Sequence, residues 1–259
     1  MERTKLGEFT WTDLQAIDLD KQSPFYEQLF GWTYEDMPTG ENTPDYRMFQ
    51  KDGVFVAGCN RMSPEMKASG MPSFWAVYAA TPDAAATAAK AVEAGGQVIM
   101  PLMDVMDSGR IAAIADPTGG TIFLWEKVTF AGAGVFMAPG TIAWADLSTR
   151  DPEGAAKFYA EVFGWGITPL EGGQPPYWQV SIEGEGEGGI MPMPEMMGAD
   201  APANWLIYFA ADNVRASVEK AVSLGAGVLA PVVDVPGLVS YAVMADPAGA
   251  VFALMTPLM

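Results

Sequence analysis

Two aspartates recur in one local pattern and are the residues best suited to acid–base chemistry. Asp13 stands two residues after Trp11, and the same spacing separates Asp146 from Trp144. Residues two apart on a strand share a face, so each carboxyl is predicted to lie beside an indole ring on an inward face. Burial there would raise the pKa of the carboxyl and make it a general acid or base. The alternative is a structural hydrogen bond from a neighbouring backbone or tyrosine group.

Four aromatic residues accompany these aspartates and could shape a binding site. Trp11 and Trp144 are predicted to form an aromatic wall for a flat ligand, or else to fill the core. Tyr78 and Tyr208 fall on the same predicted inward face. Their hydroxyl groups could orient a ligand or donate a proton, and the alternative is simple packing within a sheet.

A single arginine distinguishes the two copies of this pattern. Arg110 follows Asp104 and Asp107 in a segment that we expect at the rim of the first pocket, whereas the matching position of the second copy is Ser240. Arg110 would suit an anionic or carbonyl-bearing ligand. The alternative is a surface ion pair with one of the two aspartates.

The composition excludes several kinds of chemistry. The 259 residues include no histidine, so a Ser-His-Asp triad and the usual histidine sites for zinc, iron or nickel are excluded. The net charge of −18 makes nucleic acid and membrane surfaces poor partners. Cys59 is the only cysteine and cannot form an intrachain disulfide. Together with an N-terminus that lacks an apolar run, it leads us to expect a cytoplasmic protein.

An internal repeat spans nearly the whole chain and organises these residues. In the first part of each copy, matching residues lie 133 apart, as in the pairs Trp11 and Trp144, Asp13 and Asp146, Phe25 and Phe158, and Trp32 and Trp165. Later the offset is 130, as in the pairs Trp75 and Trp205, Tyr78 and Tyr208, and Asp116 and Asp246. We therefore predict two domains, at 1–130 and 138–259, with a linker near Thr129–Pro139.

Within each copy, the order of strand, helix and three strands occurs twice. In the first copy the periodicity predicts strands at Phe9–Ile17, Tyr46–Gln50, Val54–Cys59, Phe74–Ala80, Val98–Pro101, Arg110–Ala115 and Thr121–Glu126. It predicts helices at Asp20–Phe30, with Ser23-Pro24 as a plausible start, and at Asp83–Ala94. The chain is thus predicted to be an α+β protein.

Two motifs carry a resemblance to a known superfamily. Phe-Tyr followed by Phe-Gly-Trp occurs at Phe25–Trp32 and Phe158–Trp165, and Asp-Pro-x-Gly occurs at Asp116–Gly119 and Asp246–Gly249. With these motifs the chain resembles the vicinal oxygen chelate superfamily, which includes glyoxalase I, bleomycin-resistance proteins and extradiol dioxygenases. It resembles in particular the tandem two-domain branch that includes the mycobacterial 27 kDa antigen and streptomycete proteins described as hydroxylases. The resemblance implies four βαβββ modules that form two domains with concave pockets.

The same resemblance implies where a metal would be held. Its metal enzymes place ligands on the first and last strands of a module, and these positions fall on Trp11, Ala76, Phe123, Trp144, Leu206 and Ala253. None of these side chains can hold a divalent cation. We therefore predict a protein without a metal site or other cofactor.

We predict a metal-free binding protein of the glyoxalase/bleomycin-resistance type that holds a hydrophobic or aromatic compound, for sequestration or resistance. Its predicted binding residues are Trp11, Tyr78, Arg110, Trp144 and Tyr208. The alternative is a metal-independent enzyme, hydroxylase-, lyase- or isomerase-like, that uses Asp13 or Asp146 as acid or base. The identity of the ligand, the number of working pockets and the formation of a homodimer stay open.

Overall fold

The computed structural model describes residues 2–37, 46–170, 176–198 and 200–257. The first half contains strands β1 (Phe9–Ala16), β2 (Thr33–Met37), β3 (Tyr46–Lys51), β4 (Val54–Arg61), β5 (Phe74–Ala80), β6 (Gln97–Val105), β7 (Gly109–Ala115) and β8 (Thr121–Lys127), and helices α1 (Leu19–Phe30), α2 (Pro64–Ala68) and α3 (Ala84–Glu93). The second half contains β9 (Ile142–Thr149), β10 (Gly166–Pro169), β11 (Trp178–Ile182), β12 (Glu185–Pro192), β13 (Asn204–Ala210), β14 (Gly227–Val235), β15 (Val239–Ala245) and β16 (Val251–Pro257), helices α4 (Pro152–Phe163) and α5 (Val214–Ser223), and a short 3-10 helix at Glu195–Met197.

Each half forms one eight-stranded mixed sheet. The strand order is β2-β3-β4-β1-β5-β8-β7-β6 in the first half and β10-β11-β12-β9-β13-β16-β15-β14 in the second. The first strands of the two modules of each half, β1 with β5 and β9 with β13, pair antiparallel at the centre. The predicted α+β fold with two βαβββ modules in each half is therefore confirmed.

Helix α1 begins one residue before the predicted range of Asp20–Phe30 and four residues before the suggested start at Ser23-Pro24. The Asp18 side chain accepts a hydrogen bond from the Lys21 amide, so the helix starts at Leu19 and Pro24 lies inside it. The prediction of a start at Ser23-Pro24 is wrong because the aspartate cap satisfies the first turn and the buried faces of Phe25 and Tyr26 hold the helix across the proline.

The two sides of each sheet have different roles. The side that carries Asp13 in the first half and Asp146 in the second is called the aspartate face here, and the opposite side, which carries the helices, is called the helix face. On the helix face, Trp75 of β5 contacts Tyr26 of α1 with ring centroids 5.0 Å apart. Alternation along a strand thus assigns odd-numbered and even-numbered residues of β5 to opposite faces.

The helix faces of the two halves pack against each other and form one shared core. The Phe9 ring lies 5.4 Å from that of Trp165 and 5.6 Å from that of Trp205. Trp75 and Phe209 make a further edge contact at 5.1 Å. Because one apolar cluster joins residues of both halves, the two sheets are held together by burial rather than by the linker alone.

The linker crosses the first sheet before it enters the second. The Thr10 hydroxyl donates to the carbonyl of Ala131 at 2.6 Å, and the Ala133 amide donates to the Thr10 carbonyl at 2.8 Å. The Gly134 amide then donates to the Phe55 carbonyl at 3.0 Å. These bonds fix the residues around 130 against β1 and β4.

Among the helices that the structure describes, we find no span with the length and apolar character needed to cross a membrane.

Candidate functional site

A buried carboxylate with three hydrogen-bond donors lies on the aspartate face of the first half. Asp13 is 7% exposed, and its Oδ1 accepts hydrogen bonds from Trp11 Nε1 at 2.7 Å and from the Tyr46 hydroxyl at 2.8 Å. Its Oδ2 accepts a hydrogen bond from the Tyr78 hydroxyl at 2.7 Å. The predicted neighbours Trp11 and Tyr78 are thus joined to Asp13 in one network.

The second half repeats this network. Asp146 is 5% exposed, and its Oδ1 accepts from Trp144 Nε1 at 2.9 Å and from the Tyr177 hydroxyl at 2.7 Å. The Tyr208 hydroxyl also interacts with this carboxyl and opposes the rise of its pKa. Both aspartates therefore have tyrosine hydrogen bonds of the kind that the structural interpretation expects.

Two glycines make room for these networks. Gly58 of β4 and Gly189 of β12 each pair in register with the aspartate of the same half. A Cβ atom at Gly58 would overlap Asp13 Oδ1 and the Tyr46 hydroxyl, and one at Gly189 would overlap the Tyr177 hydroxyl. Only glycine lets the tyrosine hydroxyl lie this close to the neighbouring strand.

Burial determines the protonation of both networks. It raises the pKa of Asp13 and of Asp146 above the ordinary value, while the tyrosine and tryptophan hydrogen bonds oppose that rise. Burial and the adjacent carboxyl also raise the pKa of Tyr78 and Tyr208, so their hydroxyls stay protonated and act as donors. In each site, therefore, the carboxyl loses its proton at a lower pH than the tyrosine hydroxyls do.

Sequence reasoning missed one tyrosine in each site. Tyr46 begins β3 and Tyr177 stands just before β11, and these two lie 131 residues apart. Gly58 and Gly189 share this offset of 131. The offset falls between the 133 and 130 of the flanking repeats, and a search at intermediate offsets could have found both pairs.

The structure places Arg110 away from the aspartate face. Its guanidinium pairs with Glu126 of β8, whose second carboxylate oxygen accepts from the Ala84 amide at the start of α3 at 2.9 Å. Arg110 therefore lies on the helix face of strand β7 and not at the rim of the first site. Arg110 pairs in register with Asp104 of β6 and with Glu126 of β8, and its ion pair is formed with Glu126 instead of with one of the two expected aspartates.

The residues at the implied metal positions do not fit a metal ion. Trp11 pairs with Tyr78, which pairs with Phe123, so these positions do lie side by side on the aspartate face. The single carboxylate there has both oxygens occupied by hydrogen-bond donors. Within the described ranges, no cluster of three or more histidine, cysteine, aspartate or glutamate side chains could hold a metal.

The first site is covered by the linker. The ring of Phe130 meets the Trp11 indole edge to face, with centroids 5.0 Å apart. Phe130 also contacts Phe55 at 6.1 Å and Trp125 at 6.2 Å, and its carbonyl accepts from Trp125 Nε1 at 2.8 Å. With this cover in place Trp11 is only 4% exposed.

The second site is more open. Three of its aromatic side chains are partly exposed, namely Trp144, Tyr177 and Tyr241. The rings of Tyr208 and Tyr241 lie 6.1 Å apart. The positions that match Phe55 and Trp125 are Gly186 and Met255. The side chains of Leu206 and Val243 complete an apolar surround. The second half thus presents a partly exposed aromatic surface, here called the aromatic cup: Trp144, Tyr177, Leu206, Tyr208, Tyr241 and Val243.

A separate cavity of about 340 Å³ lies between the halves on the helix side. It is lined in part by Phe30, Lys51 and Lys220. Lys51 Nζ donates to the Phe30 carbonyl at 3.0 Å and Lys220 Nζ to the Leu29 carbonyl at 3.1 Å. Because these ammonium groups satisfy the last carbonyls of α1, helix capping accounts for the two lysines that line the cavity.

Both halves match a described protein family. Residues 8–124 match the glyoxalase/bleomycin resistance protein/dioxygenase superfamily, and residues 144–255 match the glyoxalase-like domain. Solved structures share the fold at low identity. The Mn(II)-bound glyoxalase from Novosphingobium aromaticivorans is 17% identical with a TM-score of 0.65, covering 99% of this chain and 83% of its own. The 2,3-dioxygenase LapB from Pseudomonas sp. KL28 is 14% identical with a TM-score of 0.67, covering 98% and 93%.

Two relatives align over nearly their whole length. A Mycobacterium tuberculosis protein named "Putative glyoxylase CFP32" is 37% identical over 251 residues, 97% of this chain and 95% of the relative. The anthracycline biosynthesis protein DnrV of Streptomyces peucetius is 34% identical over 270 residues, 98% of this chain and 95% of the relative. The chain therefore belongs to the glyoxalase/bleomycin resistance protein/dioxygenase superfamily and carries two of its domains in tandem.

Proposed function

We propose that this protein binds a hydrophobic or aromatic small molecule without covalent chemistry and without a metal. The observation that carries the proposal is the aromatic cup, in which a partly exposed indole and tyrosine rings surround a buried, hydrogen-bonded carboxyl. Ligand sites are mostly apolar and aromatic, with a few fixed polar groups that orient the ligand, and the cup has that composition. The ring of Trp144 supplies the largest flat surface.

The polar groups of the cup favour an aromatic ligand that also carries hydroxyl or keto groups. Asp146 is an acceptor, and the pKa of Tyr241 is raised by burial and by the charge of Asp146, which keeps that hydroxyl a donor. Two relatives, DnrV and DauV, are named anthracycline biosynthesis proteins. Their names support a polycyclic aromatic ligand for the present chain as well.

A second candidate is an enzyme that uses Asp146 as an acid or base on such a compound. The raised pKa of this buried carboxyl favours it, since a general acid must hold its proton near working pH. The name of CFP32 supports an enzyme too. Binding is preferred because the carboxyl is already engaged by the indole and tyrosine donors of its own site.

The test uses alizarin, a dihydroxyanthraquinone, titrated into the full chain while tryptophan emission and heat are followed. Trp144→Ala should weaken binding by about 30-fold, because truncation of a central aromatic contact commonly costs about 2 kcal/mol. Val222→Ala is the matched control, since Val222 is 47% exposed on α5, away from the cup. Unchanged affinity in a folded Trp144→Ala protein contradicts the proposal. Turnover of an aromatic compound that falls at least 100-fold in Asp146→Asn, with affinity kept, would favour the enzyme.

A further inference from the structure

The first half contains an aromatic ring from its own chain beside Trp11, whereas among the described residues we find no ring packed against the matching Trp144. Phe130 lies edge to face on Trp11, and Phe55 supports it from β4. Trp11 and Trp144 are matching residues of the repeat, and each indole donates to the aspartate beside it. The environment of Trp11 therefore shows how an aromatic ring is accommodated beside this indole.

The register of the strands identifies the residue that differs. Phe55 pairs with Gln50 in the first half, and Gly186 pairs with Ser181 in the second. Gln50 and Ser181 are matching residues at the offset of 131, so Gly186 occupies the place of Phe55. The second half thus replaces a phenyl ring by a hydrogen atom beside the aromatic cup.

Space, rather than backbone conformation, is what this glycine provides. A Cβ atom at Gly186 would lie 3.3 Å from Trp144 Cη2 and 2.5 Å from Nε2 of the flexible Gln179 side chain. The φ angle of Gly186 is not in the left-handed region, so a larger residue can be accommodated by the backbone. A side chain at this position would point toward the indole and occupy the space beside it.

We propose that Gly186 is the specificity-determining residue of the binding site and that the chain binds one ligand, in the second half only. This inference rests on the proposed function. A planar aromatic ring of the ligand would lie against Trp144 in the way that the ring of Phe130 lies against Trp11. The first half does not bind because Phe55 and the linker residue Phe130 already fill the equivalent space.

Two variants test this proposal with alizarin as the probe. Gly186→Phe should weaken binding at least 30-fold and leave the thermal midpoint within a few degrees of the wild type. The double variant Phe55→Gly with Phe130→Ala should open the first half, and calorimetry should then find two alizarin molecules per chain instead of one. Gly227→Ala is the matched control, because its Cβ would meet no atom within 4 Å.

The outcomes separate this inference from the function on which it rests. If Gly186→Phe binds alizarin as tightly as the wild type does and Trp144→Ala loses binding, the inference is overturned and the binding function is kept. Two sites in the wild type overturn it as well. If Gly186→Phe does not fold, the double variant decides, and a stoichiometry that stays at one overturns the inference. Absence of alizarin binding in the wild type overturns the proposed function together with the inference.

Discussion

At the scale of single residues, the central feature is a carboxyl that is buried without a cation. Asp13 and Asp146 are compensated by hydroxyl and indole donors, which are neutral. Such donors stabilise an ionised carboxyl less than an arginine or lysine would, and the desolvation penalty dominates. This explains why the pKa of each aspartate is raised despite its hydrogen bonds.

The raised pKa of Asp146 predicts a specific dependence of stability on pH. A carboxyl with a folded pKa above the unfolded value of about 3.9 binds its proton more tightly in the folded protein. Its contribution to the free energy of unfolding is therefore lost as pH rises from about 4 through the folded pKa. Asparagine resembles the protonated form, so the stability of the wild type relative to Asp146→Asn should fall over this range.

Urea unfolding at pH 4 and at pH 7.5 measures that difference. Asp212→Asn is the matched control, because Asp212 is exposed. The opposite result is a free energy of unfolding that rises with pH for the wild type relative to Asp146→Asn. That result would show that the tyrosine donors outweigh burial and lower the pKa of Asp146 instead.

The residues of the site were predictable to the extent that strand alternation and the repeat determine them. Trp11, Asp13 and Tyr78 are joined as predicted because period two and antiparallel pairing place them on one face. Tyr46 was missed because it is brought to Asp13 by the path of β3, which local periodicity does not encode. Arg110 was expected at the rim of the first site, but its register with Glu126 of β8 directs it to the helix face.

At the scale of elements, the close contact between β1 and β4 depends on one glycine. Gly58 pairs with Asp13, and a Cβ there would overlap both the carboxylate and the Tyr46 hydroxyl. Gly58→Ala is expected to lower the free energy of unfolding by about 1–3 kcal/mol, because overpacking forces buried neighbours to shift. Chemical denaturation measures the change.

Gly227→Ala serves again as the control, with an expected change within about 0.5 kcal/mol, since its Cβ would meet open space. Equal stability of the two variants would mean that the carboxylate and the hydroxyl of the first site can move apart freely.

The elements themselves were predictable in type more than in extent. The bounds of β5 are those predicted, because Phe74–Ala80 is a buried apolar run between turn residues. No range is predicted for β2 (Thr33–Met37), because four of its five residues are exposed and carry no alternation. Strand β6 extends past its predicted end at Pro101 to Val105, since edge strands depend on pairing more than on burial.

At the scale of the whole molecule, the first half completes a turn of the second. Asp246, in the turn before β16, accepts hydrogen bonds from Gln22 Nε2 at 2.7 Å and from the Tyr26 hydroxyl at 3.0 Å, both on α1 of the first half. The matching Asp116 has no partner for its buried Oδ2 within the described residues, and Gln22 is matched there by Ala155. The contact between the halves is therefore unequal on its two sides.

Gln22→Ala should lower the free energy of unfolding by about 1–3 kcal/mol, because a buried carboxylate oxygen loses a donor. Thermal and urea unfolding measure the loss. Gln28→Ala is the control, since its amide bonds only to the Pro24 carbonyl in an exposed position. A loss as small as that of the control would show that the bond from Tyr26 is sufficient for Asp246.

The linker that covers the first site also sets how strongly any outside molecule must compete there. Phe130 closely follows the end of β8 at Lys127, so its ring meets Trp11 at a local concentration on the order of millimolar or higher. To displace this ring, a free ligand in the micromolar range must bind the site correspondingly more tightly than Phe130 does. The connection between the halves therefore acts as a permanently attached competitor for the space beside Trp11.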